Sequence, residues 1–325
     1  MQRCKRLSIA VLLTVSSFLC VSTVFAQQAN QSNSNAREVK IIVTVVDKDG
    51  KQVESLKSED FRVVEEGVPQ SITDFRRITD RNLSFAILID TSISQEATLG
   101  GQQLAATLFL TSTVRPGRDQ AAVATFTNTL AVEQGLTDDL ERLRAAINRA
   151  KIVVPPGYVR GGIVVGPIPP GSGNLVGSTA IWDAIVATCN EVLSQANPQD
   201  RRAIVLLTDG QDTTSKAKKA AAIEAAVQAN VAIYSIGIGD PKFNGVNKNG
   251  LRELSDPTGG RAFFPRTVGE LTPLFTQIRD ASRNHYVVSY QSIKSKPSRK
   301  VRVEIVNPSL KDVQLFYQKT VSNKP

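Results

Sequence analysis

Histidine is all but missing from this 325-residue sequence: His285 is the only one. Cysteine is scarce too, at Cys4, Cys20 and Cys189. A nucleophile–histidine triad and a thiolate or imidazole zinc cage both need parts that these counts do not supply. Cys4 and Cys20 fall in the N-terminal segment read below as a leader, so Cys189 has no partner for an internal disulfide. Within A-T-C-N-E-V-L, on a helical stretch, it reads as a small buried apolar residue. His285 stands at an apparent strand start, before Tyr286-Val287-Val288, and reads as a partly exposed strand residue. Aromatic residues make up 6% of the chain. The basic excess, a net charge of +9, is not gathered into a stripe with interleaved aromatics, which argues against nucleic acid as a partner.

Long apolar runs are lacking as well, except at the N-terminus. Arg3, Lys5 and Arg6 precede an apolar stretch from Leu7 to about Phe25, ending in Val24-Phe25-Ala26. Residues 1–26 therefore read as a secretory signal cleaved after Ala26, which sends the chain to the periplasm or the exterior. The competing reading is an uncleaved anchor, against which Ser16, Ser17, Ser22 and Thr23 dilute the run. Leu19 before Cys20 does not suit a lipoprotein signal. Once the leader is removed, no stable membrane span is expected.

What the sequence does have is a set of buried-strand runs that end in oxygen-bearing side chains. Phe85-Ala86-Ile87-Leu88-Ile89 is too short for a helix and reads as a strand buried on both faces. It is closed by Asp90, with Ser92 and Ser94 at the next alternate positions. A second such run, Ala203-Ile204-Val205-Leu206-Leu207, ends in Thr208-Asp209-Gly210. Between them Gly177-Ser178-Thr179 opens an amphipathic helix. In open α/β sheets ligands bind at the carboxyl ends of the strands. Carboxylates and hydroxyls gathered there suit a hard divalent cation. Read piece by piece, Asp90 could cap a helix starting near Ser94 and T-D-G could be an ordinary turn, but that account leaves their order unexplained.

D-x-S-x-S after a first strand, G-x-T before a middle helix and T-D-G after a later strand resemble the von Willebrand factor type A domain. The resemblance implies a metal-ion-dependent adhesion site made of Asp90, Ser92, Ser94, Thr179 and Asp209. It implies a divalent cation, Mg²⁺ first and Mn²⁺ or Ca²⁺ as alternatives, with an open position for a Glu or Asp carboxylate from a protein partner. It implies no catalysis. The phrase V-x-D-K-D-G-K-x-V-x-x-L-x-x-E-D-F-x-V-x-E-x-G, from Val45 on, looks like the N-terminal portion of the bacterial VWFA-related family of secreted proteins.

Taken in order, residues 27–37 are polar and of low complexity and read as a linker. Residues 38–80 carry short β-branched and alternating strands with turns at Asp47–Gly50 and Glu66-Gly67. Residues 81–283 alternate strands and helices. One helix is expected from Gln95 to Val114, one beginning at Thr137 as N-cap, and a last from Val268 to Ser282. That alternation predicts an α/β fold with a doubly wound, mostly parallel sheet, Rossmann-like in the family it resembles. In residues 284–325, three strands are expected, His285–Tyr290, Lys300–Val306 and Val313–Thr320. Neither terminal piece makes a stable sheet alone, so both ends are expected to form one small antiparallel β domain. Residues 152–177, dense in Gly and Pro, lead straight to Thr179 and read either as an apolar lip beside the site or as an insertion without a ligand. Asp212 and Thr213 read as caps of the helix that follows them, and Asp183 as a surface or capping residue.

The leading expectation is thus an exported protein-binding domain that works through a divalent cation. A structural envelope domain with a non-functional site is one alternative. A metal-dependent phosphohydrolase with Asp90 as nucleophile is another, weakened because Ser92 stands where haloacid dehalogenase phosphatases carry a second aspartate.

Overall fold

A computed structural model describes residues 37–154, 158–159, 163–164, 178–243, 245–293, 296, 298–310 and 312–322. The leader and most of the linker lie outside these residues. So does nearly all of the Gly/Pro-rich segment, of which the backbone of a small antiparallel pair, β8 (Tyr158–Val159) with β9 (Ile163–Val164), is described.

Eight consecutive residues of β5 (Leu83–Asp90) are buried, because this strand lies in the middle of a six-stranded sheet covered on both faces. Its parallel neighbours are β6 (Gln120–Phe126) and β10 (Arg201–Thr208), followed outward from β10 by β11 (Val231–Gly237) and β12 (Arg261–Phe263). The antiparallel β7 (Leu130–Thr137) closes the β6 edge. Phe85, Ile87 and Ile89 face a cluster with Phe109 and Leu110 of α1 (Leu99–Thr113), Leu143 and Ile147 of α2 (Leu140–Arg149), and Phe275 and Ile278 of α6 (Leu271–Arg283). Ala86 and Leu88 face the other layer, built by α3 (Ile181–Ala187), α4 (Lys219–Gln228) and α5 (Lys248–Ser255). Each such fully buried apolar side chain contributes about 1.5–3 kcal/mol, so the strand that carries Asp90 is rigidly seated.

The two ends of the chain meet. β1 (Arg37–Val46) lies between β13 (His285–Ser292) and β15 (Gln314–Tyr317), with β4 (Ile72–Ile78) beyond β13. A second sheet joins β3 (Val68–Gln70), β2 (Phe61–Glu65), β14 (Ser298–Ile305) and β16 (Thr320–Ser322). Ile41, Val43, Phe61, Val63, Tyr290 and Val303 belong to one apolar cluster, so the two sheets share a core. Inside it Glu65 accepts from Arg299 Nε (2.6 Å), Tyr290 Oη (2.9 Å) and Ser292 Oγ (2.7 Å). Burial pulls this carboxyl up, but those donors outweigh it and hold it below its usual range.

Several expectations are corrected in detail. β1 begins at Arg37, the last residue assigned to the linker. Ile93–Gln95 form a single 3₁₀ turn, and the long helix starts only at Leu99. Thr137 ends β7; the N-cap of α2 is Asp139, whose carboxylate accepts from the Glu141 and Arg142 amides. The last strand is split, since Lys319 N donates to Pro257 O and Gln318 bridges Thr258, which docks the chain on the α/β body between β15 and β16. His285 is 2% exposed rather than partly exposed, because β13 is an interior strand of its sheet; burial, aided by Arg201 and Arg81, pulls its pKa down to about 3.

Candidate functional site

Asp90 and Asp209 sit at the carboxyl ends of the adjacent parallel strands β5 and β10, and their exposures are 0% and 1%. The strands place both carboxylates at one edge of the sheet, and the loops that follow wrap them in polar groups. Asp90 Oδ1 accepts from the Ser92 amide (3.0 Å) and Oδ2 from Thr208 Oγ1 (2.6 Å). Ser94 Oγ donates to Asp209 Oδ2 at 2.7 Å, and Ser92 Oγ lies 3.1 Å from Ser94 Oγ. Asp90, Ser92, Ser94 and Asp209 therefore form one connected set.

Thr179, 2% exposed, lies in the loop before α3. Among the described residues, its hydrogen bonds run from its backbone to the loop after Asp209, not from its side chain to that set. Its amide donates to Thr213 Oγ1 (2.8 Å), and its carbonyl accepts from the Thr213 and Thr214 amides (2.8 and 3.1 Å). Asp212 Oδ1 accepts from the Ile181 amide (2.8 Å) and from Ser215 Oγ (2.5 Å). Asp212 and Thr213 thus cap α3, the helix before them in sequence, rather than the helix after them. Asp183 accepts from the Lys216 and Ala217 amides (2.9 and 2.8 Å), so it anchors this loop as well. The result is a strap that fixes the Thr179 loop to the loop after Asp209.

Residues with no motif to announce them complete the surroundings. Gln95, fully buried, accepts from Thr98 Oγ1 and Gln102 Nε2 (2.6 and 2.7 Å) while its own Nε2 reaches Ser94 Oγ at 3.4 Å. Thr208 was visible in T-D-G, but nothing in the sequence gave it the role of donor to Asp90. Gly210 adopts φ +80°, and a Cβ there would lie 2.8 Å from Leu251 Cγ, so the turn after Asp209 needs glycine.

The electrostatics follow from burial. Burial first, and then the Asp209 charge, push Asp90 up to about 7, against the bonds from Ser92 and Thr208. Burial also raises Asp209, against donors that include the Gln211 amide, Ser94 and Gln95. Among the described residues, neither carboxylate forms an ion pair with a cationic side chain, and none is among the leading influences on either. Two buried carboxylates without a counter-charge are costly, and a divalent cation would offset that cost. The donors are all oxygen, the set a hard cation takes. Among the described residues, no group of three or more His, Cys, Asp and Glu gathers anywhere. The candidate cage instead relies on hydroxyls beside its two carboxylates.

Comparison with known proteins agrees with this topology. Residues 85–211 match one family model described as von Willebrand factor type A domain, and residues 173–277 match another. Among solved structures, proximal thread matrix protein 1 from the mussel byssus is similar over 67% of this chain and 51% of its own, at 17% identity and a TM-score of 0.50. The same mussel protein with a zinc-occupied MIDAS motif matches at 18% identity, over 67% of this chain and 50% of its own, with a TM-score of 0.49. A von Willebrand factor type A protein from Catenulispora acidiphila matches over 89% of this chain and 75% of its own, at 13% identity and a TM-score of 0.48. The chain spans about half the length of the mussel protein. No curated protein sequence matches it.

Proposed function

We propose that this chain, which carries a von Willebrand factor type A domain, binds a protein partner through a divalent cation at the edge of its central sheet. The observation that carries the reading is the Ser94–Asp209 contact. It links two buried carboxylates and two hydroxyls in one oxygen-only cluster that lacks a cationic side chain. Ser92, Ser94 and Thr179, with Asp90 and Asp209, would hold the ion, Mg²⁺ foremost. Bound there, a divalent cation supplies an electrophilic position that can accept a Glu or Asp carboxylate of the partner.

The chain's own residues preset that event. Thr208 and the Ser92 amide orient Asp90, Ser94 and Gln95 orient Asp209, and Thr213 fixes the Thr179 loop. Such preorganisation lowers the ordering cost of binding. Beside the cluster, Val153 N donates to Thr91 O at 3.0 Å and holds Val153 and Val154 at 58% and 52% exposure. These valines begin the Gly/Pro-rich segment and give the partner an apolar contact next to its carboxylate.

The role is adhesion or assembly rather than catalysis, and the leader directs it outside the inner membrane. Among the described residues no helix is long and apolar enough to cross a bilayer. The test is calorimetric titration of Mg²⁺ and Mn²⁺ into the wild type and Asp209→Ala. One saturable site present in the first and lost in the second supports the reading. Equal binding by both proteins, or binding by neither, counts against it.

A further inference from the structure

The parallel strands have a second end, and a cavity of about 880 Å³ opens there, where the base of the α/β body meets the terminal β domain. Arg81, Gln199 and Asn230 in its lining precede β5, β10 and β11. Asp90 and Asp209 stand at the far ends of two of these strands. Eight residues at about 3.3 Å each put roughly 25 Å between this cavity and the candidate metal site. The two are separate places on the molecule.

Charge in the cavity is one-sided. Among the described residues, Arg37, Lys40, Arg76 and Arg81 line it against one carboxylate, Glu38. Glu38 pairs with Lys40 at 3.0 Å, and Arg76 pairs with Asp74 at 2.8 Å. Arg81 Nε is held by the neutral carbonyl of Gln199 at 2.8 Å. Behind the wall, Arg201 is 5% exposed, and its Nη1 donates to the Asn230 carbonyl and side-chain oxygens at 3.1 and 3.4 Å, again neutral acceptors. The field is felt locally: after burial, the largest influences lowering His285 are Arg201 and Arg81. Glu38 and Asp74 offset Lys40 and Arg76, but among the described residues no carboxylate pairs with Arg37 or Arg81, so an anion seated here would meet a positive field that is only partly cancelled.

The rest of the lining narrows the chemistry. Gln199, Gln228, Asn230 and Gln318 line it with amides. Gln228 Nε2 donates to Glu224 and Asn230 Oδ1 accepts from Arg201 and Gln318, while the Gln228 and Gln318 side-chain oxygens and the Gln199 side-chain amide are suited to hydroxyl groups. Among the described residues no aromatic ring lines the cavity, so they offer no stacking platform of the kind on which single-stranded nucleic acid relies. The volume falls in the range of about 300–1,000 Å³ that holds whole organic ligands rather than one small ion.

We propose that this cleft is a second binding site, taking an acidic oligosaccharide whose carboxylates meet Arg37, Lys40, Arg76 and Arg81 and whose hydroxyls meet the surrounding amides. A domain that grips a protein at one end of its sheet and an acidic glycan at the other would join the two.

Titration of trigalacturonate into the purified full chain tests this, with maltotriose, sulfate and a single-stranded DNA decamer as competing probes. Saturable binding of trigalacturonate is expected, weakened at least about tenfold by Arg37→Gln with Arg76→Gln. Glu38→Gln is expected to strengthen binding, a gain that misfolding cannot mimic. Asp209→Ala is expected to leave binding unchanged, which keeps this result independent of the metal site. No binding, binding indifferent to the double substitution, or equal binding of maltotriose overturns the proposal. Tighter binding of sulfate or of the DNA decamer than of trigalacturonate overturns it too, in favour of a plain anion site or a nucleic-acid site.

Discussion

Ser94 Oγ donates to Asp209 Oδ2 at 2.7 Å across 115 positions of sequence, and this contact binds the loop after one central strand to the end of its neighbour. The β5–β10 pairing brings the two chain segments together, from Arg201 opposite Leu83 to Leu207 opposite Ile89. The hydroxyl then fixes where the Asp209 carboxylate sits.

Removing that hydroxyl isolates its consequence. Ser94→Ala leaves Asp209 buried without one of its donors, and a hydrogen bond to a charged group contributes about 1.5–3 kcal/mol. Mn²⁺ affinity should fall by at least about tenfold while the fold survives, as measured by titration beside circular dichroism. Unchanged affinity would take Ser94 out of the ligand set.

The Asp90 contribution to the pH response of the metal-free protein has a definite sign. Asp90 stands at about 7 when folded, above the ordinary 3.8 it has when unfolded. Between these values the folded state holds a proton that the unfolded chain has released, so the Asp90 contribution to stability falls as pH rises from about 4 to about 7 and then levels. Buried His285, held at about 3 against an ordinary 6.5, contributes the opposite slope up to about pH 6.5. Binding a cation requires the ionised carboxylate, so stabilisation by Mg²⁺ should grow across the same window. Melting curves with EDTA and with Mg²⁺ from pH 5 to 8 check both trends. Asp90→Asn should remove the falling contribution, leaving stability that rises more steeply with pH than in the wild type, and should abolish the Mg²⁺ response.

A buried pair ties the α/β body together at the point where the chain leaves it for the β domain, since Arg283 ends α6 and β13 follows. Asp119 accepts from both terminal nitrogens of Arg283 (3.1 and 2.8 Å), from Arg115 and from the Leu83 amide (2.9 Å). Burial pulls its carboxyl up, yet these donors outweigh it and hold it far below the usual range. Arg283→Ala removes two charged donors and leaves Asp119 with Arg115 as its cationic partner, so it should cost about 3 kcal/mol in urea unfolding. Because the folded pKa is depressed, the carboxylate's contribution is present above about pH 4 and is lost as pH falls below it.

Gly210→Ala tests the turn after Asp209. The positive φ and the 2.8 Å approach to Leu251 Cγ both oppose a Cβ. A loss of about 1–3 kcal/mol is expected, with weakened Mn²⁺ binding because Asp209 is displaced. Full stability and affinity would contradict the described turn.

Much of this was legible because strands buried on both faces leave continuous apolar runs. β5, β10 and β11 are such runs, and oxygen-bearing residues at the ends of the first two stood out against them. Asp90, Ser92, Ser94 and Asp209 could be named because each lies within a few residues of a strand end. Gln95 carried no such signal, and the roles of Thr208 and Thr213 were not legible, since each acts on a group from another loop: Thr208 reaches Asp90 across 118 positions and Thr213 reaches Thr179 across 34. In T-D-D, either Thr137 or Asp139 could cap a helix; the extension of β7 to Thr137, a tertiary pairing, decides for Asp139. Alternation showed that the terminal segments are strands but not which strands pair. It missed the split at Gln318-Lys319 for the same reason, because a contact with Pro257 and Thr258 makes it.

The central claim is that Asp90, Ser92, Ser94, Thr179 and Asp209 hold one divalent cation. Anomalous diffraction from crystals soaked in Mn²⁺ tests it most directly. The account predicts a single strong peak at the edge of the sheet, within about 2.2 Å of the Ser92 and Ser94 hydroxyl oxygens. No peak there under saturating Mn²⁺, or a peak held by other side chains, would contradict it.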